Sequence, residues 1–265
     1  MPYIDAEAVA AAATLEKAQS FGLLFAMFNT SEKPFNDVRV RQAFYYALDM
    51  DKILGTGMLG NATAATSFLP KTHPNYHKAS TVYSYDPQKA KALLAEAGVP
   101  QLDITLMSTD HGWVKDVAPI IKDSLDAVGF NTTLDIGQSG GQYGKVDSGK
   151  MQVMIAPGDP SVFGNDPDIL MQWWYGDNIW PTKRYTWSDT PEYAELTALL
   201  NEAKRLGGDA QQAKWNAAFD LLSEEVPLYP LFHRQLPTAW DATQLEGFAP
   251  VPTTGLSFLD VGVKQ

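Results

Sequence analysis

The first strong pattern along the chain is an unbroken apolar run, Phe21-Gly22-Leu23-Leu24-Phe25-Ala26-Met27-Phe28, closed by the polar turn Asn29-Thr30-Ser31. A short, aromatic-rich run bounded by turn residues predicts a buried strand. Pro34-Phe35 cannot extend a central strand, because proline has no amide hydrogen for the ladder. The period then becomes helical. Val40, Ala43, Phe44, Ala47 and Leu48 recur at i, i+3, i+4, i+7 and i+8, one apolar helix face, with Asn36 or Asp37 as its cap. Arg39, Arg41 and Gln42 fall off that face. Asp49 or Asp51 restarts a helical turn around Lys52-Ile53-Leu54.

Upstream, residues 5–19 are alanine-rich with Glu7 and Glu16 interspersed, and favour helix by propensity despite a weak apolar face. Residues 55–80 hold Gly, Asn, Thr, Ser and Pro around Phe68-Leu69-Pro70, the composition of a long ordered loop. Residues 86–98 read as a helix: Asp86 caps, Pro87 takes the first position, Ala90, Leu93, Leu94 and Ala97 face the core, and Gly98 stops it. Strands follow at 102–107, 131–136 and 151–156. Between the first two lies a helix with core positions Val114, Val117, Ala118, Ile121, Leu125 and Val128, ended by Gly129, and a short helix is expected over 140–149.

Further on, Thr190-Pro191-Glu192 opens a helix faced by Leu196, Leu199, Leu200, Ala203 and Leu206, and Asp209 caps another carrying Trp215, Ala218, Phe219 and Leu222. Residues 227–232 are strand-like but broken by proline, hence an edge or crossover. The last thirty residues predict short strands and turns. Alternation of strand and helix implies an α/β fold, a mixed, mostly parallel sheet covered by helices. Ligands of such sheets bind beyond the carboxyl ends of the strands. Those ends are Ser108-Thr109-Asp110, Gly137-Gln138-Ser139 and Pro157-Gly158-Asp159.

Composition narrows the function. The 265 residues are 45% hydrophobic and 19% charged, enough for a substantial core. A net charge of −11 opposes nucleic acid as a partner, because phosphate binding needs concentrated Lys and Arg. The absence of cysteine excludes disulfides, thiolate metal sites and a cysteine nucleophile. No apolar run approaches the roughly twenty residues of a membrane span, and Met1-Pro2-Tyr3-Ile4-Asp5 has neither the basic start nor the apolar centre of an export signal.

Phe28-Asn29, Pro34-Phe35, Asp37, Val40-Arg41-Gln42-Ala43, Ala47-Leu48-Asp49 and Lys52-Ile53, with the later stretch DPQKAKALLAEAG, resemble the signature of solute-binding proteins serving ABC importers of peptides, nickel and related solutes. The resemblance covers most of residues 21–250 and implies a lobe of the type II periplasmic-binding-protein fold, corresponding to the carboxy-terminal portion of such a protein. It also implies an organisation: an amino-terminal helical segment over 1–20, a solute-binding lobe over 21–234, and a tail over 235–265 that crosses to a first lobe. The function it implies is solute binding for ABC-transporter uptake, of an oligopeptide first and an oligosaccharide as the alternative, and the expected partners are that solute, the missing lobe and an ABC permease. The expected location is periplasmic or extracellular, membrane-anchored in the full-length protein. The tail is expected either to fold back, with 5–19 as its partner, or to pair with a second copy.

In peptide-binding members of that family an aspartate at the place of Asp159 holds the ligand's α-amino group, and Asp166-Pro167-Asp168 resembles the acidic-proline motif after it. The tryptophan those members usually carry just before the motif is Ala156 here, a departure that weakens the peptide assignment. Trp173, Trp174, Tyr175 and Trp180 crowd into eight positions, and no single helix face buries two adjacent tryptophans, so one must lie at a surface or cleft. The candidate ligand residues are therefore Asp159, Asp166, Trp173, Trp174, Tyr175, Trp180 and Asn29. Each also has a plain structural reading, as a turn-former or core aromatic.

The enzymatic alternative rests on Gly137-Gln138-Ser139-Gly140-Gly141, which fits a nucleophile elbow after a strand with Ser139 at its centre. The following segment is glycine-rich and poorly suited to the helix an elbow needs, so an enzyme is not expected. His73 and His77 flank Pro74-Asn75 and read as loop residues, not a metal pair. No phosphate loop or dinucleotide fingerprint occurs, and no cofactor is expected.

Overall fold

The fold is described from a computed structural model covering residues 3–253 and 255–264. Met1 and Pro2 of the amino-terminal segment, and Thr254 and Gln265 of the tail, lie outside the described residues.

The centre of the molecule is β1 (Thr14–Phe28), whose last nine residues are all buried. The apolar run forms its inner half, as its composition requires. The outer half is a correction: residues 14–19 are strand, not helix. Thr14 to Gln19 pair with Trp240 to Gln235 of β6 (Leu228–Trp240), leaving only the short α1 (Ala6–Ala10) before them. Helix propensity in an alanine-rich stretch is a preference of tenths of a kcal/mol per residue, and a partner strand offering a hydrogen-bond ladder outweighs it. The first stretch of the tail thus continues a central strand. Both β1 and β6 run through positions at which the sequence suggests segment boundaries.

The chain enters α2 (Val38–Ala47) after the Asp37 side chain accepts the Arg39 amide, then α3 (Met50–Lys52), capped by Asp49, and a wider turn at Ile53–Gly57. A short β2 (Ala62–Ala64) interrupts the expected loop before α4 (Pro87–Glu96), which Asp86 caps. β3 (Leu102–Thr109), α5 (Gly112–Asp126), β4 (Phe130–Gly137), α6 (Ser139–Asp147) and β5 (Val153–Gly158) follow in alternation. Then come α7 (Pro167–Tyr175), α8 (Pro191–Ala203), α9 (Gly208–Glu225) and, after β6, the two-stranded β7 (Leu245–Glu246) and β8 (Gly262–Val263). Gly207, not Asp209, occupies the cap position of α9, and no side chain caps it.

The sheet order is β2-β6-β1-β5-β3-β4, with β3 parallel to β4 and β5, and β1 antiparallel to β5 and β6. β6 is an interior strand despite its prolines, a further correction. Opposite Pro230 the β1–β6 register shifts between Leu24 and Phe25, and β2 covers only Phe232 to Arg234, so proline costs the ladder little.

Alternation along β1 assigns the layers. Phe28 meets Phe35, Phe44 and Tyr45 of the α2 region, whereas Phe25 meets Trp174 of α7 and Trp180. On the α2 side, Val114, Val117, Ala118, Ile121 and Leu125 of α5 are all fully buried. On the α7 side, Phe68 packs on Trp174, Tyr175 and Phe219 of α9.

Candidate functional site

β3 lies between β4 and β5, so its crossover α5 leads one way and α6 returns the other. The segments leaving β3 and β5 therefore cover opposite faces, and a crevice opens between their carboxyl ends, the switch point at which open α/β sheets bind ligands. Thr109 and Asp110 stand on one side of it and Asp159 on the other. Since β6 runs in the same direction as β5, His233 and Arg234 reach this edge too.

Asp159 is half-buried. Its Oδ1 accepts the Ser161 amide at 3.0 Å and the Ser161 hydroxyl at 2.5 Å, which fixes the carboxylate at the mouth of the turn after β5. Gly158 just before it has no room for a side chain: a Cβ there would lie 2.4 Å from Trp174 Cζ2. Trp174 thus packs against the end of β5 at Gly158 and is itself 1% exposed. Asp166 is exposed and caps α7 through the Asp168 amide at 2.9 Å. Asp168 accepts the Trp215 indole N–H at 3.0 Å, and burial raises its carboxyl above the ordinary aspartate range.

The adjacent tryptophans separate as helical geometry requires. Trp173 is 43% exposed, its ring 4.7 Å from that of Phe163, which is also exposed. With Asp168, Ile169, Gln172 and Lys204 these two rings line an open groove of about 340 Å³. Tyr175 is fully buried, its hydroxyl donating to the Leu228 carbonyl at 2.6 Å. Trp180 is buried edge-on to Phe25 and Tyr143, with the Arg184 guanidinium 4.5 Å from its ring centre and held by Asp147 at 2.9 Å. Burial pushes the Tyr143 hydroxyl up to about 12.

Asn29 is not brought to this edge. It follows Phe28, which pairs with Val153 at the start of β5, so it sits at the opposite end of the sheet from Asp159. There its Oδ1 accepts from Ser31 and Thr186 and ties the turn after β1 to the loop before α8. Of the seven candidates, Asp159 and Trp173 present their groups near the carboxyl edge. Trp174 and Trp180 pack on Phe25 in the middle of the sheet, Asp166 is spent on the cap of α7, and Tyr175 bonds Leu228 toward the end of the strands where Asn29 lies.

A second cavity at the same edge, about 420 Å³, was not visible in the sequence. Tyr3, Gly57, Gly112, Trp113, Asp116 and Arg234 are among its walls. Arg234 lies over the Trp113 indole, 5.3 Å from its ring centre. The one available signal was Trp113 directly beyond Ser108-Thr109-Asp110 in a site-bearing loop. Nothing local marks Arg234.

Ser139 does begin a helix after a strand, but His233, the one histidine downstream of it, is committed elsewhere. It is 3% exposed, its Nε2 lies 3.0 Å from the Phe68 carbonyl oxygen, and burial lowers its pKa to about 4. His73 and His77 face different partners, the Asn165 carbonyl at 2.8 Å and Asp220 at 3.0 Å. Among the described residues no cluster of three or more histidine, aspartate or glutamate side chains is placed to hold a metal, and no helix is long and apolar enough to cross a membrane.

Comparison with known proteins places this geometry. The chain is 29% identical over 272 residues to the glutathione-binding protein GsiB of Escherichia coli O1:K1, across 96% of this chain and 52% of the relative. A dipeptide-binding protein from Pseudoalteromonas sp. SM9913, solved in complex with Met-Leu, superposes with a TM-score of 0.84 at 22% identity, over 99% of this chain and 52% of that one. DppA of Helicobacter pylori, in complex with the peptide STSA, gives 0.81 at 20% identity over 99% and 51%. The chain spans about half the length of these proteins. Residues 1–192 match the family described as bacterial extracellular solute-binding proteins, family 5, middle region. That match covers well over half of the sequence and agrees with the mixed sheet and its carboxyl-edge crevice: the chain belongs to the family 5 extracellular solute-binding proteins.

Proposed function

We propose that this chain is one lobe of a peptide-binding protein that captures a small peptide and delivers it to an ABC permease outside the cytoplasmic membrane. The observation that supports this most is Asp159, a half-buried carboxylate fixed by Ser161 at the sheet's switch point. A carboxylate so placed suits a peptide's α-ammonium group, because the pair forms in a partly desolvated crevice where charge-assisted hydrogen bonds are strong. Glutathione and Met-Leu, named for two of the relatives, both carry such a group. The tail beyond β6 and the segment before β1 would join this lobe to a first lobe, and closure of the two would bury the ligand. One lobe supplies only part of that burial, so the chain by itself would bind in the millimolar range, about −4 kcal/mol.

An oligosaccharide is the second reading, favoured by the exposed Trp173–Phe163 pair, whose faces suit stacking on sugar rings. Titration of the chain with di- to pentapeptides, reduced glutathione and malto-oligosaccharides, followed by thermal shift, separates the two. Stabilisation by peptides that is lost in Asp159→Asn is the expected result. Stabilisation by oligosaccharides alone would replace the peptide reading. Serine hydrolysis gains no support from the surroundings of His233.

A further inference from the structure

The turn after β5 has Asp159 at one end and Asp166 at the other, and its middle is loosely held. Val162 and Phe163 are more than half exposed. Gly164 has φ 131° and ψ −179°, a conformation that essentially only glycine adopts. Among the described residues, a single hydrogen bond ties residues 160–165 to a distant part of the chain. His73 Nε2, from the long loop before α4, lies 2.8 Å from the Asn165 carbonyl oxygen.

His73 is 4% exposed, its ring edge-on to Phe21 of β1 at 5.4 Å. Its partners assign both ring nitrogens. The Asn75 amide donates to Nδ1 at 3.0 Å, so Nδ1 holds a lone pair; a carbonyl only accepts, so Nε2 carries the proton. The neutral imidazole thus satisfies loop and turn together. A protonated ring loses that fit, because Nδ1–H would face the Asn75 N–H and a charge would sit buried against Phe21. Turning out to water relieves both and takes Nε2 away from Asn165. Burial lowers the imidazole's pKa, opposed by the Asn165 carbonyl and by Asp166, the one charged group acting on it among the described residues. The loop's hold on α9 does not share this sensitivity. Asn75 is bonded twice to Gln212, and the His77–Asp220 contact becomes an ion pair when that imidazole is protonated.

We propose that His73 is an acid-sensitive latch on the turn after β5: neutral, it holds residues 160–165 against the loop; protonated, it swings out and releases them. The released turn is the one whose Ser161 fixes Asp159, so a solute held there is let go as pH falls. That last step rests on the peptide-binding reading. The latch itself does not.

The test is nitrogen–proton correlation spectroscopy of the full chain from pH 7.5 to 5, first without ligand. It reads the Gly164 and Asn165 amide positions and the protection factor of the Asn75 amide, from which the intrinsic pH dependence of exchange is removed. The open form takes its proton at the ordinary histidine value of 6.5 and the closed form below it. Closure is therefore complete above 6.5 and weakens as pH falls, by at most about tenfold per unit. Protection of Asn75 is expected to drop about tenfold between pH 7 and 5 while the Gly164 and Asn165 signals move with it. His73→Gln, whose side-chain amide donates and accepts but does not titrate, should hold all three constant, and His73→Phe should be unprotected at every pH. His77→Gln should keep the response. A flat titration of the unaltered chain overturns the latch whatever the variants do, and so does a response that survives in His73→Gln. With millimolar Met-Leu added, affinity should fall with pH in the unaltered chain and not in His73→Gln. Equal binding at pH 7 and 5 while the turn opens overturns the link to the site. Binding at neither pH overturns the peptide reading and leaves the latch standing.

Discussion

Arg41 of α2 donates through Nε to the main-chain carbonyl of Glu225, 2.8 Å away, and through Nη2 to the same residue's carboxylate at 3.1 Å. Its Nη1 donates to the Phe35 carbonyl at 2.8 Å, and the side chain is 3% exposed. One guanidinium thus ties the turn before α2, the helix itself and the end of α9 together. Burial lowers the arginine's pKa and raises the glutamate's, each opposed by the other's charge. The arginine of the Val40-Arg41-Gln42-Ala43 signature is therefore a structural anchor.

Arg41→Ala leaves two carbonyls and a carboxylate without their donor. We expect a loss of about 3 kcal/mol, read from urea unfolding midpoints. Glu225→Gln retains both carbonyl bonds and should cost about 1 kcal/mol. Equal losses in the two variants would mean that the ion pair, and not the carbonyl anchoring, dominates.

His233 gives a signed pH dependence. Its folded-state pKa of about 4 lies below the ordinary histidine value of 6.5, and burial is the cause. Between those values the unfolded chain binds the extra proton, so stability falls as pH drops from 6.5 toward 4, and is unaffected by this group above 6.5. The full effect is about 3 kcal/mol, at 1.36 kcal/mol per unit. In His233→Gln this share of the slope should vanish. Glu225 titrates with the opposite sign, and the difference between native and variant curves removes it.

Gly158→Ala drives a methyl group into Trp174, to 2.4 Å from Cζ2 and 2.8 Å from Cη2, with Phe25 Cε1 at 3.3 Å. The indole is enclosed and has nowhere to go. A loss of about 1–3 kcal/mol is expected, with a changed near-ultraviolet circular dichroism signal from Trp174. A variant as stable as the parent would show that the packing of Trp174 on Gly158 is soft.

The two adjacent tryptophans should behave as opposites. Trp173→Ala is expected to cost less than 1 kcal/mol and to remove the largest single share of acrylamide-quenchable fluorescence, since Trp174, Trp180, Trp187 and Trp215 are each at most 5% exposed and only Trp113 and Trp240 are partly exposed besides it. Trp174→Ala should cost about 3–5 kcal/mol and leave the quenchable fraction in place. Unchanged quenching in Trp173→Ala would return that ring to the interior.

By itself the sequence determined the inner half of β1, the caps of α2, α4 and α8, and the buried face of α5, because each follows from local periodicity, a side-chain oxygen or a proline at a helix start. It also located the three parallel strand ends, beyond one of which Asp159 lies, since alternation of strand and helix dictates where those ends fall. Only the tertiary structure decided that residues 14–19 are strand, because their ladder partner at 235–240 is some 220 positions away and propensity is blind to it. It likewise separated Asn29 from Asp159, two residues at opposite ends of antiparallel strands. Which of Trp173 and Trp174 turns inward was settled by Phe25 and Gly158 on neighbouring strands. The stacking of Arg234 on Trp113 became legible last of all, because only the sheet brings the middle of β6 and the first turn of α5 together.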